Sequence, residues 1–355
     1  MKSFFVRTVT DWYRRHHRRL PWRETKDPYR VWVSEIILQQ TRVAQGLPYY
    51  EKFIETFPGL EALANAGIDR VLRVWQGLGY YSRARNMHQT ARYLSAENGG
   101  VFPQTFEELL KLKGVGDYTA SAIASICFDL PVPVVDGNVY RVLSRYFSIR
   151  EPVPSAAAHK LFKNFSKSLI PEDAPGIYNQ AVMEFGAIQC VPSRPDCGKC
   201  PLREKCLAFA GGDVEKLPVK SPKTKTRKRY LEYIVPLTAD GKTLIEKRTS
   251  NDIWKGLYQF PLIEFDKQVA PKLVFSHPLT REISGQANIP QPPEPAYSLR
   301  HKLTHRELFI RFWVLNVETI YKQGLIISWN DLSDYPVPTV IDMFNKKISR
   351  TFANI

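Results

Sequence analysis

Four of the five cysteines of this chain lie within seventeen residues, in the pattern Cys190-x6-Cys197-x2-Cys200-x5-Cys206. Such crowding is not expected of unrelated buried cysteines, and in a reducing compartment it indicates a metal site rather than disulfides. Zinc and an iron–sulfur cluster both bind four thiolates, and the spacing alone leaves both open. Basic residues lie between the cysteines and suit a loop that contacts phosphates: Arg194, Lys199, Arg203 and Lys205.

Composition and charge favour a polyanionic partner. The 355 residues carry a formal net charge of +15 and are 44% hydrophobic, so the chain can bury real cores and is suited to bind nucleic acid or an anionic surface. The sequence has no apolar run of the roughly 20 residues that a membrane span needs. Its start has no signal-peptide pattern, because arginines interrupt it: Arg14, Arg15, Arg18 and Arg19. We expect a soluble, monomeric, cytoplasmic protein, associated with the nucleoid if it is bacterial.

The charge is uneven along the chain. Residues 213–229 hold seven Lys/Arg against two acids, whereas residues 230–355 hold 15 against 13. The first 212 residues carry the remaining net charge of +8. Residues 213–229 are also polar and interrupted by proline, so we interpret them as a basic linker that can lie along phosphates.

The hydrophobic pattern changes at this linker. Before it, helices are predicted at 4–18, 29–40, 43–56, 60–66, 68–76, 82–98, 105–111, 117–127, 137–146, 155–169 and 176–188. After it, strands are predicted at 230–237, 243–247, 257–261, 298–303 and 308–317, with helices near 267–273 and 338–348. The sequence therefore predicts a mainly α region (1–212), the linker (213–229) and a small α+β domain (230–355). Cys127 lies in an apolar helical run and is predicted to be a core residue.

A second motif, Leu112–Ala120 (LKGVGDYTA), lies between two helical patterns and has the form of a helix–hairpin–helix. Gly114 and Gly116 let the backbone turn tightly and approach a phosphate, which the amides that open the next helix can face. An ordinary corner between two helices gives the same short pattern. The segment Val134–Val139 (VVDGNV), which follows about twenty residues later, makes the motif more specific.

Two carboxyl residues are candidates for complementary roles. Glu35 has Val31, Trp32 and Leu38 as helical neighbours, so burial should raise its pKa. Asp136 precedes a helix, whose N-terminus should keep its carboxylate ionised. The simpler alternatives are a solvent-facing or salt-bridged Glu35 and an Asp136 that only caps the helix. Two carboxyls whose pKa values are pushed apart suit the cleavage of a glycosidic bond, one as acid and one as anion.

These residues, in this order, resemble the MutY adenine DNA glycosylases of the endonuclease III-like helix–hairpin–helix superfamily. The similar segments of about the first 210 residues are Leu20–Arg23 (LPWR), Trp32–Glu35 (WVSE), Leu38–Thr41 (LQQT), Gly77–Tyr81 (GLGYY), Gly114–Gly116 (GVG), Asp136–Val139 (DGNV) and the four cysteines. Trp254–Tyr258 (WKGLY) and Phe260–Pro261 resemble the family's MutT-like lesion-recognition domain. The resemblance implies a mainly α glycosylase region with a cluster loop, followed by an α+β MutT-like domain.

The resemblance also implies an activity and a cofactor. The activity is removal of adenine mispaired with 8-oxoguanine, and of adenine opposite guanine, from double-stranded DNA, which leaves an abasic site for base excision repair. The cofactor is a [4Fe–4S] cluster on the four cysteines, where it holds a DNA-contacting loop.

Roles for individual residues follow from the same resemblance. Glu35 protonates the extruded adenine on its imidazole ring, and Asp136 stabilises the oxocarbenium ion that develops. Tyr118 and Asn138 line the catalytic pocket, while two other residues enter the base stack beside the lesion: Gln40 and Tyr80. Without the resemblance, Gln40 would be interpreted as a solvated helix residue and Tyr80 as a core residue.

Three features distinguish the chain from related patterns. Tyr118 stands where bifunctional glycosylase/lyases of the superfamily carry a Schiff-base lysine, so we expect a monofunctional enzyme. The family's Phe-Ser-His lesion-sensing loop is Leu303-Thr304-His305 here, in which Thr304 keeps a hydroxyl and Leu303 replaces an aromatic ring. The alternative for His305 is a strand residue that is paired locally. The second domain lacks the clustered glutamates of a nucleotide-hydrolase box, so we expect no hydrolysis of nucleoside triphosphates.

Three alternative functions agree less well with the sequence. A thymine-mismatch or pyrimidine-damage glycosylase could use the same scaffold, but the C-terminal domain and Gln39–Thr41 (QQT) argue against it. A non-catalytic iron–sulfur protein that binds DNA or senses redox state would leave Glu35 and Asp136 without a purpose. A membrane-surface protein would need a basic amphipathic helix with a lipidation motif, which the sequence lacks.

Overall fold

The computed structural model describes residues 1–222, 226–285 and 293–352, and side chains as far as residue 348. Residues 223–225 of the predicted linker lie outside the described residues. The chain forms two compact units: Met1–Asn65 with Asn86–Pro222, and Ala66–Arg85 with Lys223–Ile355. Residues 66–85 therefore group with the C-terminal part, although the sequence analysis placed them with the N-terminal helices.

Helices make up most of the first 210 residues, as predicted. Those of the described residues are α1 (Lys2–His16), α2 (Pro28–Leu38), α3 (Val43–Thr56), α4 (Leu60–Ala64), α5 (Ile68–Val74), α6 (Ser82–Glu97), α7 (Phe106–Leu109), α8 (Asp117–Cys127), α9 (Gly137–Phe147), α10 (Ala156–Lys167), α11 (Pro175–Glu184) and α12 (Leu207–Ala210). A 3-10 turn at Pro21–Arg23 precedes α2, and a π-helical turn at Phe185–Gln189 continues α11. Each predicted helix of this region is confirmed, with ends that differ by a few residues.

Local signals explain where α2 begins and ends. Pro28 occupies the first turn, and the Asp27 carboxylate accepts a hydrogen bond from the Tyr29 amide at 3.0 Å. The helix stops at Leu38 because Gln40 adopts a left-handed φ of 60°. The prediction that it continues to Gln40 was therefore wrong by two residues. Val31 to Ile37 are all buried, and α2 packs against α3 and α8.

An apolar core joins α1, α9, α10 and α11 in the first unit. Its large buried side chains include Phe5, Trp12, Tyr146, Phe162 and Phe185. Burial of each such side chain contributes about 1.5–3 kcal/mol. Three of the clustered cysteines pack against this core and are only partly buried: Cys190, Cys200 and Cys206. The cysteine loop is thus attached to the helix that Asp136 opens, α9.

The described part of the predicted linker lies against the first unit. Leu217 is buried, and its carbonyl oxygen accepts a hydrogen bond from Arg145 Nε at 3.0 Å. The Val153 amide donates to the Val219 carbonyl at 2.8 Å, and the Ser221 amide donates to the Val153 carbonyl at 2.9 Å. These bonds order the chain nearly as far as Pro222.

The second unit contains a mixed sheet. Its strands are β1 (Arg227–Leu237), β2 (Lys242–Lys247), β3 (Tyr258–Gln259), β4 (Leu262–Phe265), β5 (Tyr297–Lys302), β6 (Arg306–Asn316) and β7 (Leu325–Ser328). The order is β3-β2-β1-β6-β5, with β4 beside β1 and β7 beside β2. β1 and β6 run parallel and the other pairs are antiparallel. The predicted α+β class is confirmed, although the sequence analysis missed β4 and β7.

Helices cover both faces of this sheet. They are α13 (Pro271–Phe275), α14 (Pro278–Ser284) and α15 (Thr339–Phe352). Tyr233 and Val235 share one core with α15, whereas Ile234 shares a second core with α13 and α14. Strand side chains alternate between faces, so both faces of β1 are buried. The helix predicted at 267–273 begins only at Pro271. Proline is favoured at the first position of a helix. Among the described residues, no helix is long and apolar enough to cross a membrane.

Candidate active site

A pocket of about 170 Å³ in the first unit brings the predicted carboxyl pair together. Glu35 comes from α2, and Asp136 stands directly before α9. Tyr118 and Asn138 also line the pocket, as predicted. The rest of the wall combines charged and apolar side chains, among them Arg18, Arg23, Glu184, Leu20, Trp22, Val31, Leu38, Ile126 and Met183.

The environment of Glu35 favours its protonated form. The side chain is buried, with 7% of the residue exposed. Burial raises the pKa of Glu35 to about 7; a hydrogen bond from Tyr118 and the charge of Arg23 lower it, and the charge of Asp136 raises it. The predicted upward shift is therefore confirmed, and the solvent-facing alternative is wrong. Glu35 can donate a proton near neutral pH.

Asp136 is held by its own helix. Its carboxylate accepts hydrogen bonds from the Val139 amide and the Asn138 Nδ2, both at 2.7 Å. The capping role is thus confirmed. However, burial raises the pKa of Asp136, and the bonds from Val139 and Asn138 and the charge of Arg141 offset this only in part. The expectation that the helix N-terminus keeps this carboxylate ionised did not take burial into account, which acts in the opposite direction. The carboxylate still accepts several hydrogen bonds, whereas Glu35 accepts one from Tyr118.

Tyr118 supplies a neutral phenol beside the carboxyls. Burial, followed by the charges of Glu35 and Asp136, raises the pKa of Tyr118 well above its usual value. Its hydroxyl hydrogen-bonds Glu35 and lies 3.5 Å from Met183 Sδ. The side chain therefore stays protonated and can orient Glu35.

Asn138 connects the pocket to the cysteine loop. Its Oδ1 accepts a hydrogen bond from Arg141 Nη2 at 2.8 Å. Arg141 also donates through Nε to the Cys190 carbonyl at 2.7 Å. A chain of hydrogen bonds thus runs from Asp136 to Cys190. Arg141 was not predicted, since nothing local in the sequence pairs it with Cys190.

An ion cluster that was not predicted from the sequence lies in the pocket wall. Glu184 accepts hydrogen bonds from Arg18 Nη2 at 2.6 Å and from Arg23 Nη2 at 2.7 Å. Arg23 belongs to the LPWR segment, which was its only sequence signal. Glu184 lies at the end of a mostly buried helix, α11, where an unpaired carboxylate would be costly.

The helix–hairpin–helix is formed by α7, residues 110–116 and α8. Gly114 has a φ of +80°, and a Cβ there would lie 2.7 Å from the Asn86 Cβ, so glycine is required. Gly116 is extended, and a Cβ there would meet nothing within 4 Å. The prediction that both glycines make the turn is therefore right for Gly114 and wrong for Gly116. The open space at Gly116 is compatible with close approach of another molecule.

Gln40 and Tyr80 share an unusual backbone. Their φ angles are 60° and 48°, in the left-handed region that costs a non-glycine residue roughly 1–3 kcal/mol. Gln40 is exposed in the turn after α2. Tyr80, in the second unit, is 48% exposed, so the interpretation as a core residue is wrong. Such strain is typical of functional positions.

Leu303, Thr304 and His305 form the turn between β5 and β6. The Leu303 amide donates a hydrogen bond to the Arg306 carbonyl at 2.8 Å, which closes the turn. The Leu303 side chain packs against the core of the sheet. Thr304 is exposed, and its hydroxyl hydrogen-bonds the hydroxyl of Tyr80 within the second unit. The His305 carbonyl accepts a hydrogen bond from the Arg227 amide, which agrees with the alternative that His305 is a strand residue paired locally. The residue nevertheless remains exposed.

The four clustered cysteines line one small cavity of about 30 Å³: Cys190, Cys197, Cys200 and Cys206. Arg145, which is 2% exposed, also lines it and places Nη1 3.5 Å from the Cys190 Sγ. Its guanidinium also donates to carbonyl oxygens of the loop, to Val191 at 2.7 Å and to Pro192 at 2.9 Å. A positive charge thus faces a set of potential thiolates.

The four thiols around this cavity form a donor set that could hold a metal centre. Within the described ranges, no three His, Cys, Asp or Glu residues are arranged to hold one metal ion. Zinc would need all four sulfurs at about 2.3 Å from one centre. An iron–sulfur cubane takes each thiolate on a different iron, so its sulfurs stand farther apart. Four cysteines around one cavity, with a buried arginine beside them, supply the number and kind of donor atoms that such a cluster takes.

Both parts of the chain match known protein families. Residues 33–167 match the HhH-GPD superfamily of base excision DNA repair proteins, and residues 233–347 match the NUDIX domain. The chain is 37% identical over 358 residues to the adenine DNA glycosylase of Buchnera aphidicola subsp. Acyrthosiphon pisum (strain APS), over 98% of this chain and 99% of that protein. It is 33% identical over 352 residues to the adenine DNA glycosylase of Buchnera aphidicola subsp. Baizongia pistaciae (strain Bp), over 98% and 97% of the two chains.

One solved structure resembles the helical part. A thermostable thymine-DNA glycosylase superposes with a TM-score of 0.55 at 28% identity, over 59% of this chain and 97% of that one. The predicted combination of a helix–hairpin–helix region and a MutT-like domain is therefore confirmed.

Proposed function

This chain belongs to the adenine DNA glycosylases of base excision repair, which hydrolyse N-glycosyl bonds, and we propose that it removes adenine mispaired with 8-oxoguanine, or with guanine, from duplex DNA. The observation that carries the proposal is the pocket that joins Glu35 to Asp136. One carboxyl is buried with a pKa of about 7, and the other is held by several hydrogen bonds. This is the pair that glycosidic cleavage needs.

The chemistry divides between the two carboxyls. Glu35 donates its proton to the imidazole ring of an extruded adenine, so that the electrons of the breaking C–N bond neutralise the protonated base, which leaves as neutral adenine. Asp136 faces the sugar, where its negative charge stabilises the developing oxocarbenium ion. Water then adds to the sugar carbon, and its proton passes to a carboxylate of the pair. The product is an abasic site.

Tyr118 supports a monofunctional reaction. A lyase of this superfamily attacks the sugar with a lysine amine and forms a Schiff base. The phenol of Tyr118 cannot form one, and its pKa is raised well above the ordinary value by burial. Cleavage of the DNA strand at the abasic site therefore requires a separate step.

An excision assay tests these statements together. We expect single-turnover release of adenine from an adenine:8-oxoguanine duplex, slower release from adenine:guanine, and strand breaks only after alkali. A guanine:thymine duplex is the matched control, since the helical part also resembles a thymine-DNA glycosylase. Strand scission without alkali would contradict the monofunctional proposal, and release confined to guanine:thymine would contradict the substrate.

Recognition of the mispair is assigned to four further places. The exposed, left-handed Gln40 and Tyr80 are proposed to enter the stack beside the extruded base. The hairpin at Gly114–Gly116 is proposed to bind a phosphate through its amides. The exposed turn at Leu303–His305 is proposed to contact the oxidised base, with the Thr304 hydroxyl as the hydrogen-bonding group. Catalysis and the contacts beside the extruded base would then reside in residues 1–212, and contact with the oxidised base in residues 230–355, joined by the basic segment 213–229.

The NUDIX-type domain is proposed to recognise the lesion and not to hydrolyse nucleoside triphosphates. Its helix α14 (PLTREIS) carries a single glutamate, Glu282, instead of the acidic cluster that holds metal in a nucleotide hydrolase. Glu282 lies 4.0 Å from the ammonium group of Lys322. We further propose that the protein acts as a monomer in the cytoplasm.

The four cysteines are proposed to hold a [4Fe–4S] cluster. When bound, the cluster supplies fixed geometry to a loop that carries basic residues. We expect the purified protein to be brown, to absorb at about 400 nm and to contain iron rather than zinc. Cys200→Ser should lower the iron content and weaken duplex binding, whereas Cys127→Ser, outside the loop, should change neither. A colourless, zinc-loaded native protein would contradict the proposal.

A further inference from the structure

A buried carboxylate in the pocket wall has no role in the chemistry described so far. Glu184, at the end of α11, is 1% exposed. It accepts hydrogen bonds from the Arg18 amide at 2.9 Å, Arg18 Nε at 2.8 Å, Arg18 Nη2 at 2.6 Å and Arg23 Nη2 at 2.7 Å. Burial alone would raise the pKa of Glu184, but these bonds and the charge of Arg23 lower it to about 2. Glu184 is therefore an anion near neutral pH.

Its two partners carry the positive charge of the pocket wall. The side chain of Arg23 is 11% exposed and that of Arg18 is 37% exposed. Arg23 also donates through Nη1 to the Arg18 carbonyl at 3.1 Å, and its guanidinium lies 5.6 Å from the centre of the Tyr13 ring. The three ionised side chains thus form one rigid group whose net charge is +1. Removal of Glu184 would leave two unpaired guanidinium groups in a confined space.

The charges of this group act on neighbouring acids. Burial raises the pKa of Tyr13; beyond that, Arg23 lowers it and Glu184 raises it. The two charges therefore oppose each other at the Tyr13 side chain. Burial raises the pKa of Glu35, and among the smaller influences Arg23 lowers it. A carboxylate bound to Arg23 weakens that influence by Coulomb's law.

We propose that Glu184 is a positioning residue, which holds Arg18 and Arg23 in the pocket wall and cancels part of their charge so that Glu35 can carry its proton. The inference deepens the proposed function and rests on the role of Glu35 as the acid. The other titratable groups that act on Glu35 are Tyr118 and Cys127 from α8 and Asp136 before α9. Glu184 bonds to Arg18 and Arg23, so its replacement acts first on the two arginines.

The pH dependence of base release tests the proposal. In the wild type, the single-turnover rate constant should fall as pH rises through about 7, where Glu35 loses its proton. Glu184→Gln raises the net charge of the group by one, which should move this midpoint down by about one unit. The variant would then be about tenfold slower at high pH and nearly unchanged at low pH. A purely structural role predicts the same loss at every pH.

Two more variants separate charge from damage to the fold. Arg18→Met lowers the net charge of the group by one, so the midpoint should rise. The double variant Glu184→Gln with Arg18→Met has the wild-type net charge, and its midpoint should return toward that of the wild type. Glu184→Asp keeps the charge and should keep the midpoint even if the rate falls. If Glu184→Gln does not fold, Arg18→Met alone still tests the proposal. A pH midpoint of base release that does not move in Arg18→Met overturns the proposal.

Glu232→Gln is the matched control. Glu232 is also 1% exposed and bound by an arginine, Arg311, at 2.7 Å, but it does not line the pocket. Its replacement should leave the midpoint in place. If the wild type releases no adenine, the proposed function fails. If the wild type releases adenine but the midpoints of all the Glu184 and Arg18 variants coincide, only this inference fails.

Discussion

Glu35→Gln is expected to abolish adenine release, with a loss of at least about 10²–10⁴ in the single-turnover rate constant. The amide cannot donate the proton that makes adenine a good leaving group. Its shape and hydrogen-bonding atoms are nearly those of the neutral carboxyl that the pocket stabilises. Duplex binding and iron content should therefore remain. The rate is measured on an adenine:8-oxoguanine duplex, and binding is measured by titration of the same duplex.

The same substitution should change how stability depends on pH. Burial raises the pKa of Glu35 from 4.5 to about 7, so the folded protein holds this proton more tightly than the unfolded chain. This contribution to stability is full below about 4.5 and is lost as pH rises through about 7. Glu35→Gln should remove that loss, which denaturant unfolding at several pH values would detect. Glu232→Gln, in another buried site, serves as the control for both measurements. Normal excision by Glu35→Gln would exclude Glu35 as the acid.

Asp136→Asn should lose base release while keeping the fold. Asparagine caps a helix about as well as aspartate, so the bond from the Val139 amide should survive. The amide carries no charge and cannot stabilise the oxocarbenium ion. Removal of such a preorganised electrostatic group costs roughly 10²–10³ in rate, and we expect at least this loss.

Asp27→Asn is the matched control for this variant. Asp27 caps α2 and accepts from the Tyr29 amide at 3.0 Å, but it does not line the pocket. Both variants should unfold within about 1 kcal/mol of the wild type in denaturant. Only Asp136→Asn should be defective in excision. Equal activity of the two variants would reduce Asp136 to a helix cap.

Residues whose environment is set by close neighbours in the chain could be predicted without a structure. The helices of the first 210 residues follow from apolar periodicity, capping residues and proline positions, all of which act within one or two turns. The burial of Glu35 follows from Val31 and Trp32, because residues three and four apart share a helix face. The crowding of the cysteines into one loop is likewise a local property. In these cases the decisive residues lie close together in the chain, and the sequence displays them directly.

Features that depend on distant segments were decided by the tertiary structure. The pKa of Asp136 is raised because the folded chain buries a carboxylate whose local hydrogen bonds predict the opposite. Glu184 meets Arg18 and Arg23 only after α11 packs against α1. Residues 66–85, including Tyr80, group with the C-terminal unit although their pattern is helical. Long-range burial and charge act through space, so their partners cannot be read from spacing along the chain. The sequence by itself thus determined which residue types are available for chemistry, and the tertiary structure decided which of them act on one another.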